Sequence, residues 1–138
     1  MVSEILDRLR HLLLIGAIFH FGMAMFHLAF AKVFRWNDEL PRLGFINRQL
    51  LPVMNLCLTL IFLEVSYLSW AYSEELLLTE LGHAVLLSIG FFWLFRALLQ
   101  IWFFRLRHWL SWLLLVLFLG ASVIYIGSAQ SVFIHPVV

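Results

Sequence analysis

Charged side chains are scarce in this sequence, and their scarcity is the first constraint on its fold and function. Only 12% of the 138 residues are Asp, Glu, Lys or Arg, whereas 64% are hydrophobic, and the mean hydropathy is +0.99. A soluble domain has roughly a quarter charged residues and about half apolar ones. A chain this short cannot bury so much apolar surface in a water-soluble core. The composition therefore excludes an ordinary soluble domain and predicts a membrane protein.

Cysteine is nearly absent, and so is any excess of positive charge. Cys57 is the single cysteine, which excludes an intrachain disulfide and a metal site built from several cysteines. The net charge is +1 and the basic residues form no stripe, which argues against nucleic acid as a partner. The sequence also contains no nucleophile–base pair, glycine-rich phosphate loop or zinc motif. It therefore gives no positive support for an enzyme and offers no candidate catalytic residue.

Four long apolar runs predict four membrane-spanning helices. We place these helices at about residues 12–33, 50–72, 81–104 and 109–128. At a rise of about 1.5 Å per residue, each can cross a hydrocarbon core of about 30 Å. Lipid cannot satisfy the open edge of a sheet, so the expected fold class is all-α. We predict an integral membrane antiparallel four-helix bundle that forms a single transmembrane domain over residues 1–138.

The most polar stretch of the chain, residues 34–49, lies between the first two apolar runs. Trp36 is typical of a membrane interface, and Pro41 and Gly44 favour turns within the segment. We therefore predict an ordered interfacial hairpin. Six basic residues share the predicted face of this hairpin and of the turn between helices three and four: Lys32, Arg35, Arg42, Arg48, Arg105 and Arg107. The opposite face holds Arg8 and Arg10. Because positive charge favours the cytoplasmic side, we expect both termini outside the cytoplasm.

Two histidines interrupt the first apolar run. His20 and His27 are seven residues apart, which places them on one helical face. Histidines in a helical membrane bundle can ligate heme b, and His20, Met23 and His27 are also possible soft-metal ligands. A heme needs two ligands on opposing helices at one depth, and predicted helices two and four contain no histidine. A dimer could meet this requirement, because it would supply His20 from each copy. The structural alternative is that both histidines are hydrogen-bonded residues of the bundle.

Helix rise places the buried polar residues at two depths. His20 and Glu64 each lie about 12 Å from the outer ends of their helices. The other half of the membrane holds a second polar set: His27, Asn55, Arg96 and Gln100. We predict a hydrogen-bonded structural cluster there, and the functional alternative is an anionic headgroup pocket reached from the basic hairpin. The candidate ligand-binding residues are therefore His20, His27, Asn55, Arg96 and Gln100.

Glu64 is the single acidic residue inside the predicted spans. It lies about 180° around the helix from Asn55, so it should face outward if Asn55 faces the bundle. An ionised acid that faces lipid costs a few kcal/mol, so Glu64 must be protonated, paired or covered by another chain. A lone membrane acid in a short four-helix protein also resembles the plan of the small multidrug transporters, although here the acid is in the second helix. Glu64 is therefore a candidate partner or proton site.

Three short segments resemble a loose family of small, uncharacterised four-helix bacterial membrane proteins. The segments are W-N-D-E-L-P-R-L at residues 36–43, N-R-Q at residues 47–49 and F-W-x-x-R-x-x-x-Q at residues 92–100. The resemblance spans most of the chain and implies a multi-pass protein of the bacterial inner (cytoplasmic) membrane. It carries no activity, cofactor or catalytic residue.

These observations predict a non-enzymatic accessory, assembly or scaffold subunit of a bacterial membrane protein complex or homo-oligomer. Its expected partners are the lipid bilayer and either a membrane protein or a second copy of itself. One alternative is a heme-, quinone- or metal-binding bundle that uses His20 and His27. A second alternative is a small proton-coupled transporter that uses Glu64.

Overall fold

Nearly all of the described chain is helical, with short turns between the helices. A computed structural model describes residues 2–134, with the side chains of residues 3–131. The elements in this range are α1 (Val2–Leu28), α2 (Phe30–Val33), α3 (Trp36–Glu39), a 3₁₀ helix (Leu40–Arg42), α4 (Phe45–Ala71), α5 (Ser73–Leu78), α6 (Glu80–Phe104) and α7 (Trp109–Ile134). Four helices, α1, α4, α6 and α7, are long and apolar enough to cross a membrane. The predicted all-α class with four candidate spans is confirmed.

Packing divides the chain into two compact units. The central unit is Ala17–Leu68, and the terminal unit contains the residues up to Gly16 together with those from Ser69 onward. The terminal unit therefore holds the start of α1, the end of α4 and all of α5, α6 and α7. The central unit holds the end of α1, most of α4 and the short helices between them.

The first helix is longer at its start and shorter at its end than predicted. It begins at Val2, whereas the predicted span begins near residue 12, and Leu9 and Leu13 are both buried. It ends at Leu28 rather than at residue 33, because the chain turns at Ala29 before α2 begins. The candidate span therefore covers Ser3–Leu28, closer to the N-terminus than the predicted span.

The second long helix also starts earlier than predicted, and this changes the position of its proline. A helix that began near residue 50, as predicted, would have Pro52 in its first turn, but α4 begins at Phe45 and Pro52 is inside it. An interior proline removes one backbone donor and crowds the carbonyl of Arg48, four residues earlier, which favours a kink. Membrane helices tolerate such a proline when neighbouring groups satisfy the freed carbonyl.

The predicted hairpin between the first two long helices is ordered and helical. Arg35, between α2 and α3, has a left-handed backbone with φ of 49°. Its guanidinium donates to the Asp38 carboxylate over 2.7 and 3.0 Å, and Arg42 forms an ion pair with Glu39 at 3.4 Å. Pro41 lies at the start of the 3₁₀ helix, where its fixed φ is favourable.

The terminal unit is built on close contacts of glycine residues. A Cβ on Gly90 of α6 would lie 2.5 Å from Cγ1 of Ile126 in α7, and one on Gly16 would lie 2.7 Å from the Tyr125 hydroxyl. Small residues allow helices to approach this closely where lipid gives no hydrophobic driving force. The largest fully buried side chains of the unit are Leu13, Leu77, Leu86, Trp93, Phe118 and Tyr125.

The sharp connection between α5 and α6 is held by polar contacts. The Thr79 hydroxyl accepts a hydrogen bond from the backbone nitrogen of Gly82 over 2.9 Å and so caps α6. Nε2 of the buried His83 donates to the carbonyl oxygen of Leu77, near the end of α5, over 2.7 Å. These contacts satisfy backbone groups that helix ends leave without intrahelical partners.

Candidate functional site

The central unit contains a buried polar pair between α1 and α4. Nδ1 of His27 lies 2.9 Å from Oδ1 of Asn55, and Nδ2 of Asn55 donates to the carbonyl oxygen of His27 over 2.9 Å. Both side chains are buried. The His27 carbonyl lies in the last turn of α1, where backbone acceptors have no intrahelical donor. Two residues of the predicted polar cluster, His27 and Asn55, are therefore in direct contact.

This double contact fixes the protonation pattern of the His27 ring. Because Nδ2 of Asn55 donates to the carbonyl, Oδ1 is the atom that faces the ring, and an amide oxygen can only accept. The proton in the contact must therefore be on Nδ1 of His27. In the neutral ring Nε2 then has the lone pair, so a metal or heme iron bound to this ring would be bound through Nε2.

Aromatic rings surround His20 and His27 of α1. His20 is 1% exposed, and its ring lies edge-on to Phe19 with centroids 5.3 Å apart. His27 stacks on Phe30 at 4.2 Å. Phe62 of α4 contacts both histidines, at 6.0 Å from His20 and 5.0 Å from His27. Phe62 is thus an α4 ring that contacts the two imidazoles in the α1–α4 interface.

The heme and metal hypotheses for this helix remain predictions. Residues 17–68 contain no histidine besides His20 and His27, so the central unit by itself does not place histidines of opposing helices together. Met23 is buried one turn from His20. Over residues 2–134, the structure brings no three His, Cys, Asp or Glu side chains together in a metal-binding group.

The terminal unit contains the other two residues of that predicted cluster, Arg96 and Gln100, which lie in α6. Nη1 of Arg96 donates to Oε1 of Gln100 over 3.0 Å, and Nε2 of Gln100 donates to the Ser111 hydroxyl over 2.9 Å. Gln100 and Ser111 are buried. The Arg96 guanidinium lies over the ring of Phe118, 4.7 Å from its centroid. The sequence predicted contact between Arg96 and Gln100, and Ser111 completes the chain of hydrogen bonds.

Glu64 lies on the exposed side of α4. Asn55 is buried and Glu64 is exposed, which agrees with the opposite faces predicted from helical geometry. Among the described residues, the Glu64 carboxylate has no hydrogen-bond or ion-pair partner. The side chains at helical spacing around it are exposed as well: Cys57, Leu60, Ile61, Tyr67 and Leu68. We call this set, with Glu64, the Glu64 face.

Helix α4 is the least covered of the four candidate spans. In an apolar 18-residue stretch of α4, 17% of the residues are buried. The corresponding values are 39% in α1, 28% in α6 and 33% in α7. Most of the α4 surface is therefore apolar and uncovered, and Glu64 is the acidic group within it.

Two polar features of the terminal unit are not singled out by the sequence. The Ser69 hydroxyl lies 2.8 Å from the hydroxyl of the buried Tyr125. An open cleft of about 210 Å³ is lined by Arg10, His11, Leu14, Ser69, Trp70 and Ser73. The spacing of Ser66 and Ser69 on α4 was the only sequence signal for these contacts. A serine near the end of a span is also common as an ordinary residue of the membrane interface, so the spacing did not single them out.

Comparison with known proteins adds no relative to this description. No protein family, no curated protein and no solved structure matches the chain. Function must therefore be argued from the fold and the residues themselves.

Proposed function

We propose that this protein is a non-enzymatic accessory, assembly or scaffold subunit of a membrane complex or homo-oligomer. It contacts its partner within the bilayer through the Glu64 face. We also propose that it resides in a bacterial inner membrane with both termini outside the cytoplasm. The observation that carries the proposal is the exposed Glu64 carboxylate, without a partner among the described residues, on an apolar helix.

The cost of an isolated charge in lipid supports this function. Placing an acidic side chain at the centre of a bilayer costs about 2.5–3.5 kcal/mol even on lenient scales. Intramembrane acids accordingly face a protein interior or a water-filled cavity, and they pair with other groups. A partner chain that covers Glu64 and supplies a donor removes this cost, and the apolar residues around Glu64 provide the packing surface.

The chemistry of the partner follows from the carboxylate. A suitable partner helix presents an arginine, lysine, amide or hydroxyl at the depth of Glu64, because these groups donate hydrogen bonds to a carboxylate. In a symmetric homo-oligomer, two Glu64 side chains can instead share one proton, as paired carboxylates do. In both arrangements Glu64→Gln weakens the contact, because a neutral hydrogen bond replaces one that involves a charged group.

Glu64→Gln is expected to reduce the amount of complex recovered from native membranes in mild detergent by about tenfold. The reason is that a hydrogen bond to a charged group contributes about 1.5–3 kcal/mol, and about 1.4 kcal/mol corresponds to tenfold. The recovered species are measured by native mass spectrometry. Glu75→Gln is the matched control, since it removes an exposed carboxylate from α5, outside the spans. A wild-type protein recovered only as a monomer, or equal yields for both variants, would contradict the proposal.

The single cysteine distinguishes a second copy from a different partner. Cys57 is exposed seven residues before Glu64, about 10 Å away along the same face. If two copies pack through the Glu64 face, a short thiol-reactive cross-linker is expected to give a covalent dimer in native membranes, measured by denaturing electrophoresis. Cys57→Ser is the negative control. A complex that depends on Glu64 but yields no Cys57 dimer identifies a different partner chain.

A further inference from the structure

The positive charge of the α6–α7 hairpin is concentrated near one end. Between Glu80 and the end of α7, the charged residues are Arg96, Arg105 and Arg107, and none is acidic. Ion pairs among the described residues join Arg10 to Glu74, Arg35 to Asp38 and Arg42 to Glu39, and none of them involves these three arginines. We call Arg96, Arg105 and Arg107 the basic end of the hairpin.

Arg96 is inside α6, but its side chain extends toward the end of that helix. The guanidinium donates to Gln100, one turn later, and lies 5.8 Å from the centroid of the Phe104 ring at the last residue of α6. The stack on Phe118 and the hydrogen bond hold the guanidinium in this direction. Long basic side chains in membrane helices extend in this way toward the polar boundary.

Helix length places the guanidinium close to the lipid headgroups. α6 has 25 residues, which gives a length of about 37 Å and exceeds a hydrocarbon core of about 30 Å. Gln100 lies about 6 Å before the helix end, so the Arg96 charge is within a few Å of the boundary of that core. A guanidinium has five N–H donors, and Gln100 accepts one hydrogen bond from them.

The turn that follows α6 keeps an arginine in a backbone conformation that glycine adopts more easily. Arg105 has φ of 50° and Leu106 has φ of 45°, both in the left-handed region. This conformation costs a residue with a Cβ roughly 1–2 kcal/mol. The turn therefore carries a charged side chain at a position where the backbone favours glycine. Arg105 and Arg107 are both exposed there.

We propose that the basic end of the α6–α7 hairpin binds the phosphate of an anionic phospholipid. Arg96 supplies a forked donor at the membrane boundary, and Arg105 and Arg107 supply charge above it. Gln100 and Ser111 are positioning residues that orient the Arg96 side chain. The exposed rings of Trp102 and Trp109 flank the turn, as interfacial aromatic residues do, and offer surface to the acyl chains.

The test is a competition for bound lipid on the full-length protein. Purified protein in a neutral detergent is mixed with equimolar phosphatidylglycerol and phosphatidylcholine, and native mass spectrometry measures the ratio of the two adducts. Since each arginine near an anionic headgroup contributes about fivefold in affinity, the wild type should prefer phosphatidylglycerol by at least that factor. Arg96→Gln should lower the preference about fivefold.

Two further variants test whether a change in lipid preference comes from the basic end of the hairpin. Arg105→Gln combined with Arg107→Gln changes only exposed side chains, so it tests the site even if Arg96→Gln fails to fold, and it should also lower the preference. Arg8→Gln removes one exposed charge from α1, on the opposite predicted face of the membrane, and should leave the preference unchanged. The proposal is overturned by a wild type without preference, by an equal loss in Arg8→Gln, or by displacement of the lipid with inorganic phosphate, which would indicate a soluble-anion site.

Discussion

Gly90→Ala is expected to destabilise the protein by about 1–3 kcal/mol, the usual cost of overpacking a close contact. The added Cβ would lie 2.5 Å from Cγ1 and 3.1 Å from the backbone nitrogen of Ile126, so α6 and α7 would have to move apart. This cost overcomes the gain of about 1 kcal/mol that alanine normally has over glycine inside a helix. The measurement is unfolding in mixed micelles, followed by circular dichroism as the denaturing detergent increases.

The same hairpin contains a matched control for this substitution. Gly120 is inside α7, and a Cβ there would meet no atom within 4 Å. Gly120→Ala should therefore be neutral or stabilising by up to about 1 kcal/mol, because only helix propensity changes. Equal destabilisation of both variants would show that the effect comes from glycine in a helix and not from contact between α6 and α7.

Asn55→Leu is expected to destabilise the protein by about 1–3 kcal/mol, because it removes two hydrogen bonds in a buried site. Nδ1 and the carbonyl oxygen of His27 both lose their contacts with Asn55. The same unfolding measurement applies. A second measurement is the ¹⁵N spectrum of the His27 ring, which should show the proton on Nδ1 in the wild type and a change in that pattern in the variant.

A double-mutant cycle separates the contact from the side effects of each substitution. His27→Leu and Asn55→Leu each leave the other polar group facing an apolar side chain, whereas the double variant removes both groups. The double variant should therefore cost less than the sum of the two single variants, by about 0.5–3 kcal/mol. Additive costs would mean that the two side chains do not stabilise each other.

The helices could be predicted because apolar runs of spanning length have few other structures available to them. The starts of the long helices could not be predicted. Helices α1 and α4 begin at Val2 and Phe45, in polar or mixed sequence where helix propensity alone does not mark the first residue. Pro52 illustrates the difficulty. A proline usually marks the first turn of a helix, yet in α4 the helix continues on both sides of it.

The polar contacts could be predicted where residue spacing determines them. Arg96 and Gln100 are four apart on one helix, and the depths of His27 and Asn55 match across two predicted spans. The hydrogen bonds to Ser111 and Ser69 were harder to anticipate, because they depend on the rotation of one helix against another. Glu64 was identifiable because one acidic residue in an apolar run is conspicuous whatever its surroundings.

The distribution of charge along α6 and α7 also bears on how the chain enters the bilayer. Their mean hydropathies, 1.9 and 2.2, are the highest of the four spans. The turn between them contains Arg105 and Arg107, and no acidic residue follows Glu80. Basic residues beside short turns determine which side of the membrane retains them during insertion. The C-terminal half therefore contains its own orientation signal, so the direction in which it inserts need not be determined by α1.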